Sequence, residues 1–314
     1  MGELPRGDAG EGERSPVPSV SRAERSDSAG RTTVGALVRD LTGKLRAGGV
    51  EEPAKEARDI VAAVVDMPRF WPSLNADEPL SVRDVERALT AAAKRASGAP
   101  FAYAVGRAAF RHLTLDVDER VLIPRQETEV LVDAVLECAG GGGGVAVDVG
   151  TGSGAIALAL AMEGGFDLVI GTDLSLGALA VAGANAERLA SALRARVELR
   201  AGSLLAPVRD VRARVLVSNP PYIAYDEAAA LPRSVRDWEP VVALFTGAGG
   251  MSATAEIIRG APDILESGGL LAMEIDSRRA ALAAEMALAD GHYSDVTVRL
   301  DLAGRERILL ARRA

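Results

Sequence analysis

Apolar residues recur at helical spacing from residue 33 to residue 100. The first apolar stripe consists of Val34, Leu37, Val38, Leu41 and Leu45. Residues three or four positions apart lie on the same side of a helix, so such a stripe predicts an amphipathic helix with one buried face. A second stripe follows Pro53, and a third follows Ser81, which with Asp84 resembles a capping box. The pattern predicts a small helical-bundle domain over residues 33–100.

Alternating apolar residues replace the helical pattern between residues 101 and 125. Leucine and valine alternate with polar residues over residues 113–117, and a second apolar run covers residues 121–123. Asp118 and Glu119 separate the two runs, as expected for a turn between two strands. The stretch predicts a β-hairpin with its turn at this acidic pair, and we interpret it as a linker between domains.

From residue 126 onward, strand and helix patterns alternate. Short apolar runs that predict strands lie at residues 145–149, 168–172, 197–200, 215–218 and 269–275. Helical patterns lie at residues 126–138, 155–162, 175–189, 253–265 and 278–288. This alternation predicts a parallel sheet with helices on both faces, and two final runs around Gly304 predict an antiparallel hairpin that adds an edge strand. The predicted fold class is α/β: a Rossmann-like sheet with an antiparallel C-terminal hairpin over residues 126–314, preceded by the helical bundle.

Composition narrows the range of possible functions. Residues 1–32 are rich in Gly, Ser, Pro, Arg and Glu, which predicts a disordered tail because such a segment buries too little apolar surface. The chain of 314 residues carries a formal charge of −8, which is unfavourable for binding the phosphates of nucleic acid. We therefore expect no direct binding to nucleic acid.

Cysteine and histidine are scarce. The single cysteine, Cys138, and the two histidines are too few for a disulfide framework or for a metal site built on these residues. No apolar run reaches the roughly 18 residues of a membrane-spanning helix. We expect a cytoplasmic protein that binds no metal and does not cross a membrane.

A glycine-rich segment follows the first predicted strand of the sheet and precedes a helix. It consists of Gly150, Thr151, Gly152, Ser153 and Gly154. Glycines allow close approach of a ligand to the backbone, and the start of the helix offers unpaired N–H groups. Asp173 ends the next strand, where a carboxylate can accept hydrogen bonds from both hydroxyls of a ribose. The spacing G-x-G-x-G differs from the G-x-G-x-x-G of dinucleotide sites, so a nucleoside without a pyrophosphate, such as S-adenosylmethionine, fits better.

The segment Asn219-Pro220-Pro221-Tyr222 follows the strand predicted at residues 215–218. Ligands bind at the carboxyl ends of strands in open α/β sheets. The prolines stiffen the loop, and the Asn219 side-chain oxygen and the Pro220 carbonyl are two acceptors for the N–H groups of a planar NH₂ group. An amide nitrogen is a weak nucleophile, so a site that directs it at a methyl donor meets the main requirement of the reaction. The Tyr222 ring can form a flat wall beside the planar group.

Several segments in order along the chain resemble the HemK/PrmC family, the peptide chain release factor glutamine N5-methyltransferases. The similar segments are residues 121–129 (the family's I-P-R-P-E-T-E motif), 148–154 (its cofactor loop), 217–223 (its catalytic loop), Glu239-Pro240 with Ala243-Leu244, and Gly304 to Arg307. The resemblance extends from about residue 33 to the C-terminus.

The resemblance implies roles for particular residues. It implies that S-adenosylmethionine is bound by Gly150, Thr151, Gly152, Ser153, Gly154, Asp173, Leu204 and Asn219. It implies that the substrate glutamine is bound by Asn219, Pro220, Pro221, Tyr222 and Phe110, with Asn219, Pro220 and Tyr222 as catalytic residues. The implied substrate is the glutamine in the Gly-Gly-Gln loop of class 1 release factors, and the helical domain helps to engage that partner.

Three other functions use parts of the same pattern. An adenine-N6 DNA methyltransferase can use the same loop on an exocyclic NH₂ group, but it usually carries a basic groove for extracting the base. A non-catalytic, cofactor-binding adaptor would not need a complete Asn-Pro-Pro-Tyr loop. A nicotinamide-dependent oxidoreductase is disfavoured by the glycine spacing.

Overall fold

The computed structural model describes residues 32–314, so the predicted tail lies outside the described residues except for its last member. The first helices are α1 (Val34–Ala47), α2 (Pro53–Val65), α3 (Trp71–Leu74), α4 (Val82–Ala96) and α5 (Phe101–Val105). Leu41 of the first predicted stripe is fully buried and shares an apolar cluster with Ile60 of α2. Ser81 caps α4 by accepting the Asp84 N–H at 3.1 Å. The predicted helical bundle is confirmed.

A β-hairpin follows these helices, but its arms differ from the predicted ones. Its strands are β1 (Arg107–Phe110) and β2 (Leu113–Asp116), which pair antiparallel. The turn begins at Arg111, whose φ is 52°, because Glu129 accepts its backbone N–H at 3.0 Å and Glu163 binds its guanidinium at 2.9 Å. Residues 121–123 pair with no strand in the described part of the chain. The chain does turn at Asp118-Glu119, where the Val121 N–H donates to the Asp118 carbonyl at 3.1 Å, but this turn joins no pair of strands. The prediction that it is the hairpin turn is wrong, because distant contacts at Arg111 place the hairpin turn earlier in the chain.

A mixed seven-stranded sheet forms the centre of residues 126–314. Its strands are β3 (Val145–Val149), β4 (Leu168–Asp173), β5 (Arg196–Ala201), β6 (Ala213–Ser218), β7 (Leu265–Glu274), β8 (Tyr293–Leu300) and β9 (Glu306–Arg313). Their order is β5-β4-β3-β6-β7-β9-β8, and neighbours from β5 to β7 are parallel.

The C-terminal hairpin is antiparallel, as predicted, but the antiparallel strand is not at the edge of the sheet. Strand β9 is antiparallel to both β7 and β8 and lies between them, so β8 is the edge strand. Consecutive residues of a strand point to opposite faces, and both Ile308 and Leu309 of β9 are fully buried. A strand that is apolar on both faces is best covered in an inner position, which explains why β9 does not lie at the edge.

Helices cover both faces of the sheet. They are α6 (Gln126–Ala139), α7 (Ala155–Glu163), α8 (Leu176–Leu189), α12 (Ser252–Gly260) and α13 (Ala280–Asp290). Three single-turn segments lie between β6 and α12: α9 (Arg233–Arg236), α10 (Val241–Leu244) and α11 (Gly247–Gly250). Leu158 of α7 and Ile257 of α12 belong to two separate apolar clusters, which pack α6 to α8 and α12 to α13 against the sheet. Helix α12 ends at Gly260 and does not continue to residue 265 as predicted, because Pro262 lacks a backbone N–H and Leu265 begins β7. The predicted α/β fold class is confirmed.

Two properties of this fold concern membranes and metals. None of the helices within residues 32–314 is both long and apolar enough to cross a bilayer. In the same part of the chain, no group of three or more histidine, cysteine or carboxylate side chains is arranged to bind a metal ion.

Asn185 of α8 connects the hairpin to the glycine-rich loop from a fully buried position. Its side-chain oxygen accepts the Asp116 N–H at 2.8 Å. Its NH₂ group donates to the carbonyls of Asp116 and Ser153 at 3.0 Å each. One side chain therefore satisfies backbone groups of both β2 and the loop before α7.

Asn185→Ala is expected to lower the free energy of unfolding by about 3 kcal/mol, because it leaves buried backbone groups of Asp116 and Ser153 without these partners. Thr114→Ala, at an exposed position on β2, is the control and should cost less than about 1 kcal/mol. Urea denaturation followed by circular dichroism measures both changes. Equal losses in the two variants would contradict the connecting role of Asn185.

Candidate active site

The glycine-rich loop crosses the carboxyl end of β3. The backbone N–H groups of Gly150 and Thr151 donate to the Thr172 carbonyl of β4 at 2.9 and 2.8 Å, which holds the loop against the neighbouring strand. Gly150 and Gly152 have φ values of 76° and 56°, in the left-handed region that favours glycine. A Cβ atom at either position would meet nothing within 4 Å. This side of the loop is therefore open to a ligand.

Asp173 lies beside the loop at the end of β4. Its two carboxylate oxygens accept the backbone N–H groups of Gly152 at 2.9 Å and Ser175 at 2.8 Å. These bonds fix the carboxylate, and each oxygen keeps a lone pair for a further donor. The loop and the carboxylate predicted from the sequence lie together at one edge of the sheet.

A cavity of about 290 Å³ opens in front of the loop and Asp173. The predicted cofactor-binding residues that line it are Gly150, Gly152, Asp173, Leu204 and Asn219. Thr151 and Ser153 are buried and do not line it, and the Thr151 hydroxyl donates to Asp148 at 2.6 Å. Gly154 also lies outside the lining and precedes the first residue of α7. Five of the eight predicted cofactor-binding residues therefore line the cavity, and the other three do not.

A second cavity, of about 450 Å³, adjoins the first. Pro220 and Tyr222 line the second cavity, whereas Pro221 lines the first. The residues that line both are Leu122, Asn219 and Ala243. Asn219 therefore lies at the boundary, where a group bound in one cavity can react with a group bound in the other.

A buried carboxylate lies behind the Asn-Pro-Pro-Tyr loop. The Asn219 NH₂ group donates to the Thr128 hydroxyl oxygen at 3.0 Å, and the Thr128 hydroxyl donates to Glu274 at 2.7 Å. The Tyr222 hydroxyl donates to the other oxygen of Glu274 at 3.2 Å. Burial raises the pKa of Glu274 above its ordinary value, although these hydrogen bonds and the nearby Arg307 guanidinium lower it. One carboxylate at the end of β7 therefore connects both polar side chains of the loop.

Comparisons with known proteins agree with this geometry. Residues 36–106 match the PrmC N-terminal domain, and residues 122–232 match the methyltransferase small domain. A release factor glutamine methyltransferase from Moorella thermoacetica is 41% identical over 297 residues, which cover 90% of this chain and 98% of that protein. The chain belongs to the family of release factor glutamine methyltransferases. Another member, from Cereibacter sphaeroides, is 38% identical over 86% of this chain and 94% of its own.

The fold is also that of methyltransferases of known structure. A methyltransferase from Pyrococcus furiosus superimposes with a TM-score of 0.50 and 20% sequence identity, covering 65% of this chain and 90% of that one. Family and fold together confirm the prediction that the protein is a methyltransferase.

Phe110 is not brought to the site of this methyltransferase. The sequence resemblance implies that it contacts the substrate glutamine. Phe110 is the last residue of β1, and its side chain is fully buried in the main apolar cluster with Leu113 and Leu131. It lines neither cavity. The alternation of side chains along β1 directs Phe110 into the core, and a contact between Phe110 and the substrate glutamine stays a prediction.

Thr128 and Glu274 are site residues that the sequence patterns do not identify. Glu274 ends β7, which pairs with the strand before Asn219. Its place at the carboxyl end of a parallel strand is a signal that could have identified it. Thr128 lies within the segment that resembles the I-P-R-P-E-T-E motif, but that motif does not indicate a contact with Asn219, which is 91 positions away in the sequence.

Asp148 supports the glycine-rich loop and is fully buried in β3. One carboxylate oxygen accepts the Thr151 hydroxyl at 2.6 Å and the Ala157 N–H at 3.1 Å. The other has no hydrogen-bond partner among residues 32–314. Burial raises the pKa of Asp148 from its ordinary value of 3.8 to about 7 despite these bonds.

We expect the stability of the wild-type protein, relative to Asp148→Asn, to fall as the pH rises. A carboxyl whose pKa is raised by folding holds a proton in the native state that it has lost in the unfolded state, so a rise in pH from about 4 to 7 favours unfolding. Between pH 5.5 and 8.5, the difference between the two free energies of unfolding should change by about 2 kcal/mol. Urea denaturation at both pH values measures it. A constant difference would show that Asp148 is already charged in the native protein at the lower pH.

Proposed function

We propose that this protein transfers a methyl group from S-adenosylmethionine to the side-chain amide nitrogen, N5, of the glutamine in the Gly-Gly-Gln loop of class 1 peptide chain release factors. The observation that carries the proposal is the position of Asn219 at the boundary of two cavities, with its NH₂ group engaged by Thr128 and its oxygen left for a donor. Identity of 41% to a release factor glutamine methyltransferase supports the same reaction. An enzyme that modifies release factors acts on translation termination and is expected in the cytoplasm.

The first cavity suits S-adenosylmethionine. We assign the ribose hydroxyls to Asp173, because its fixed carboxylate keeps lone pairs for two donors. Gly150 and Gly152 offer open backbone to the ligand, and Leu204 offers an apolar contact for the adenine. The three loop residues that do not line the cavity help to maintain the shape of the loop; they are Thr151, Ser153 and Gly154. When bound, S-adenosylmethionine supplies an electrophilic methyl group on a cationic sulfur.

The second cavity is assigned to the glutamine side chain. Asn219 Oδ1 and the Pro220 carbonyl accept the two N–H groups of the amide, which directs its nitrogen at the methyl group. The nitrogen would form a bond to the methyl carbon as the bond from that carbon to the sulfur breaks, which leaves S-adenosylhomocysteine as the neutral thioether. The nitrogen is cationic at that point, and it then loses one proton to water and recovers a planar amide. The two oxygens stabilise the positive charge that develops on the nitrogen. Tyr222 lines this cavity as a flat wall, and Pro221 stiffens the loop.

Transfer of labelled methyl groups to a purified release factor tests the proposal. We expect label on a release factor that carries Gly-Gly-Gln and none on one whose glutamine is replaced by alanine. Duplex DNA is the alternative substrate, since the exocyclic NH₂ group of an extracted adenine can occupy the same loop. Label on DNA or on the alanine variant, with none on the loop glutamine, would reject the proposal. Cofactor binding without any transfer would favour the adaptor.

A further inference from the structure

The Asn219 side chain has a defined orientation because of the residues behind it. Glu274 ends β7 and is 1% exposed, so its carboxylate is shielded from solvent. It accepts the Thr128 hydroxyl at 2.7 Å, and the Thr128 oxygen accepts the Asn219 NH₂ group at 3.0 Å. This chain of hydrogen bonds extends from the end of β7, through the first turn of α6, to the loop after β6.

The carboxylate sets the direction of this chain. Both Glu274 oxygens accept a hydroxyl hydrogen, one from Thr128 at 2.7 Å and one from Tyr222 at 3.2 Å, so the single hydroxyl hydrogen of Thr128 points to Glu274. Thr128 then presents only lone pairs to Asn219, which can form a hydrogen bond there only through its NH₂ group. Rotating the amide by half a turn would place its oxygen against the Thr128 oxygen and lose a hydrogen bond. The observed orientation leaves Oδ1 for the cavities that Asn219 lines.

We propose that Glu274, acting through Thr128, is a positioning residue that keeps the acceptor side of Asn219 toward the substrate amide. The proposal rests on the proposed function, because a glutamine amide brings N–H donors that need an acceptor at this position. If the Asn219 side chain were rotated, its NH₂ group would face the N–H groups of the substrate amide, and no hydrogen bond could form between them. The same carboxylate also accepts the Tyr222 hydroxyl at 3.2 Å, so it holds the second polar side chain of the loop.

The role of Glu274 requires that both of its oxygens accept hydrogen bonds, as they do in the structure. The charged or titratable groups that act on its carboxylate are Tyr222, Arg307 and Glu127. A neutral glutamine at position 274 can donate its own NH₂ group to Thr128, and the Thr128 hydroxyl is then free to turn toward Asn219. Glu274→Gln therefore preserves the shape of the site but allows both orientations of the Asn219 amide.

Thr128→Val, Thr128→Ser and Glu274→Gln test the proposal. Thr128→Val removes the hydroxyl and keeps the volume, whereas Thr128→Ser keeps the hydroxyl. Thr254→Val makes the same change at another buried threonine and is the matched control. The first measurement is kcat/KM for methyl transfer to a release factor. The second is hydrogen exchange of the Asn219 side-chain amide by NMR, with its resonances identified by their absence in Asn219→Ala, and it requires no methyl acceptor.

We expect Thr128→Val and Glu274→Gln to lower kcat/KM by about tenfold to hundredfold and to speed the exchange, with little change in the dissociation constant of S-adenosylmethionine. Thr128→Ser and Thr254→Val should retain wild-type values. Wild-type behaviour of Thr128→Val, or an equal loss in Thr128→Ser, would overturn the proposal. If the wild-type enzyme transfers no methyl group to the release factor, the proposed function fails, while the exchange rates still decide whether Glu274 and Thr128 orient Asn219.

Discussion

Replacing Asn219 with alanine is expected to lower the rate of methyl transfer by about 10²–10³-fold at saturating substrate concentrations. The change removes one of the two acceptors proposed to hold the amide and to stabilise the charge on its nitrogen. A preorganised group of this kind acts mainly in the transition state, so kcat should fall more than the KM for the release factor rises. Initial rates with labelled S-adenosylmethionine and a purified release factor measure the effect.

Asn75→Ala is the matched control for this substitution. Asn75 lies next to α3 in the helical domain, where its NH₂ group donates to the Trp71 carbonyl at 2.9 Å, and its loss should leave the rate unchanged. Circular dichroism checks that Asn219→Ala is folded. A folded Asn219→Ala enzyme with more than about a tenth of the wild-type rate would show that Asn219 does not position the amide, since loss of such a group costs far more.

A large loss of cofactor affinity is expected at Asp173. Asp173→Ala should raise the dissociation constant of S-adenosylmethionine by about 100-fold, because each hydrogen bond to a charged group contributes about 1.5–3 kcal/mol. The change also frees the N–H groups of Gly152 and Ser175, which the carboxylate holds at 2.9 and 2.8 Å. Isothermal titration calorimetry measures the constant.

Asp167→Ala controls for the loss of a carboxylate. Asp167 is exposed and precedes β4, whereas Asp173 ends that strand, so the two lie at opposite ends of it. Asp167 also accepts a backbone N–H, that of Gly144, at 2.7 Å. Its replacement should change the dissociation constant by less than about twofold, because distant sites act independently. If both variants raised the dissociation constant equally, the loss of affinity in Asp173→Ala would come from the change in charge or stability and not from a lost contact with the cofactor.

Local sequence patterns were sufficient to predict the framework of the site. The apolar run at residues 145–149 predicts the strand before the glycine-rich loop, and the next run predicts the strand that ends at Asp173. Because parallel strands end at the same edge of a sheet, these positions and Asn219 could be expected to lie together. The first cavity, which all three line, agrees with that expectation.

Features that depend on contacts between distant residues could not be predicted in this way. The hairpin turn at Arg111 depends on Glu163, which is 52 positions away. Thr128 and Glu274 are separated by 146 positions, and neither carries a local pattern that pairs them. Hydrophobic periodicity reports which face of an element is buried, but it does not report which element covers that face.

The inner position of β9 has a consequence for the folding of the chain during synthesis. The ribosome makes β8 before β9, yet β9 lies between β7 and β8 in the finished sheet. Until β9 has been made, one edge of β7 is open and β8 lacks the strand with which it pairs. Open strand edges and uncovered apolar surface promote aggregation of nascent chains. The sheet can therefore be completed only after β9 has been made, and until then the edge of β7 and the apolar surface of β8 stay uncovered.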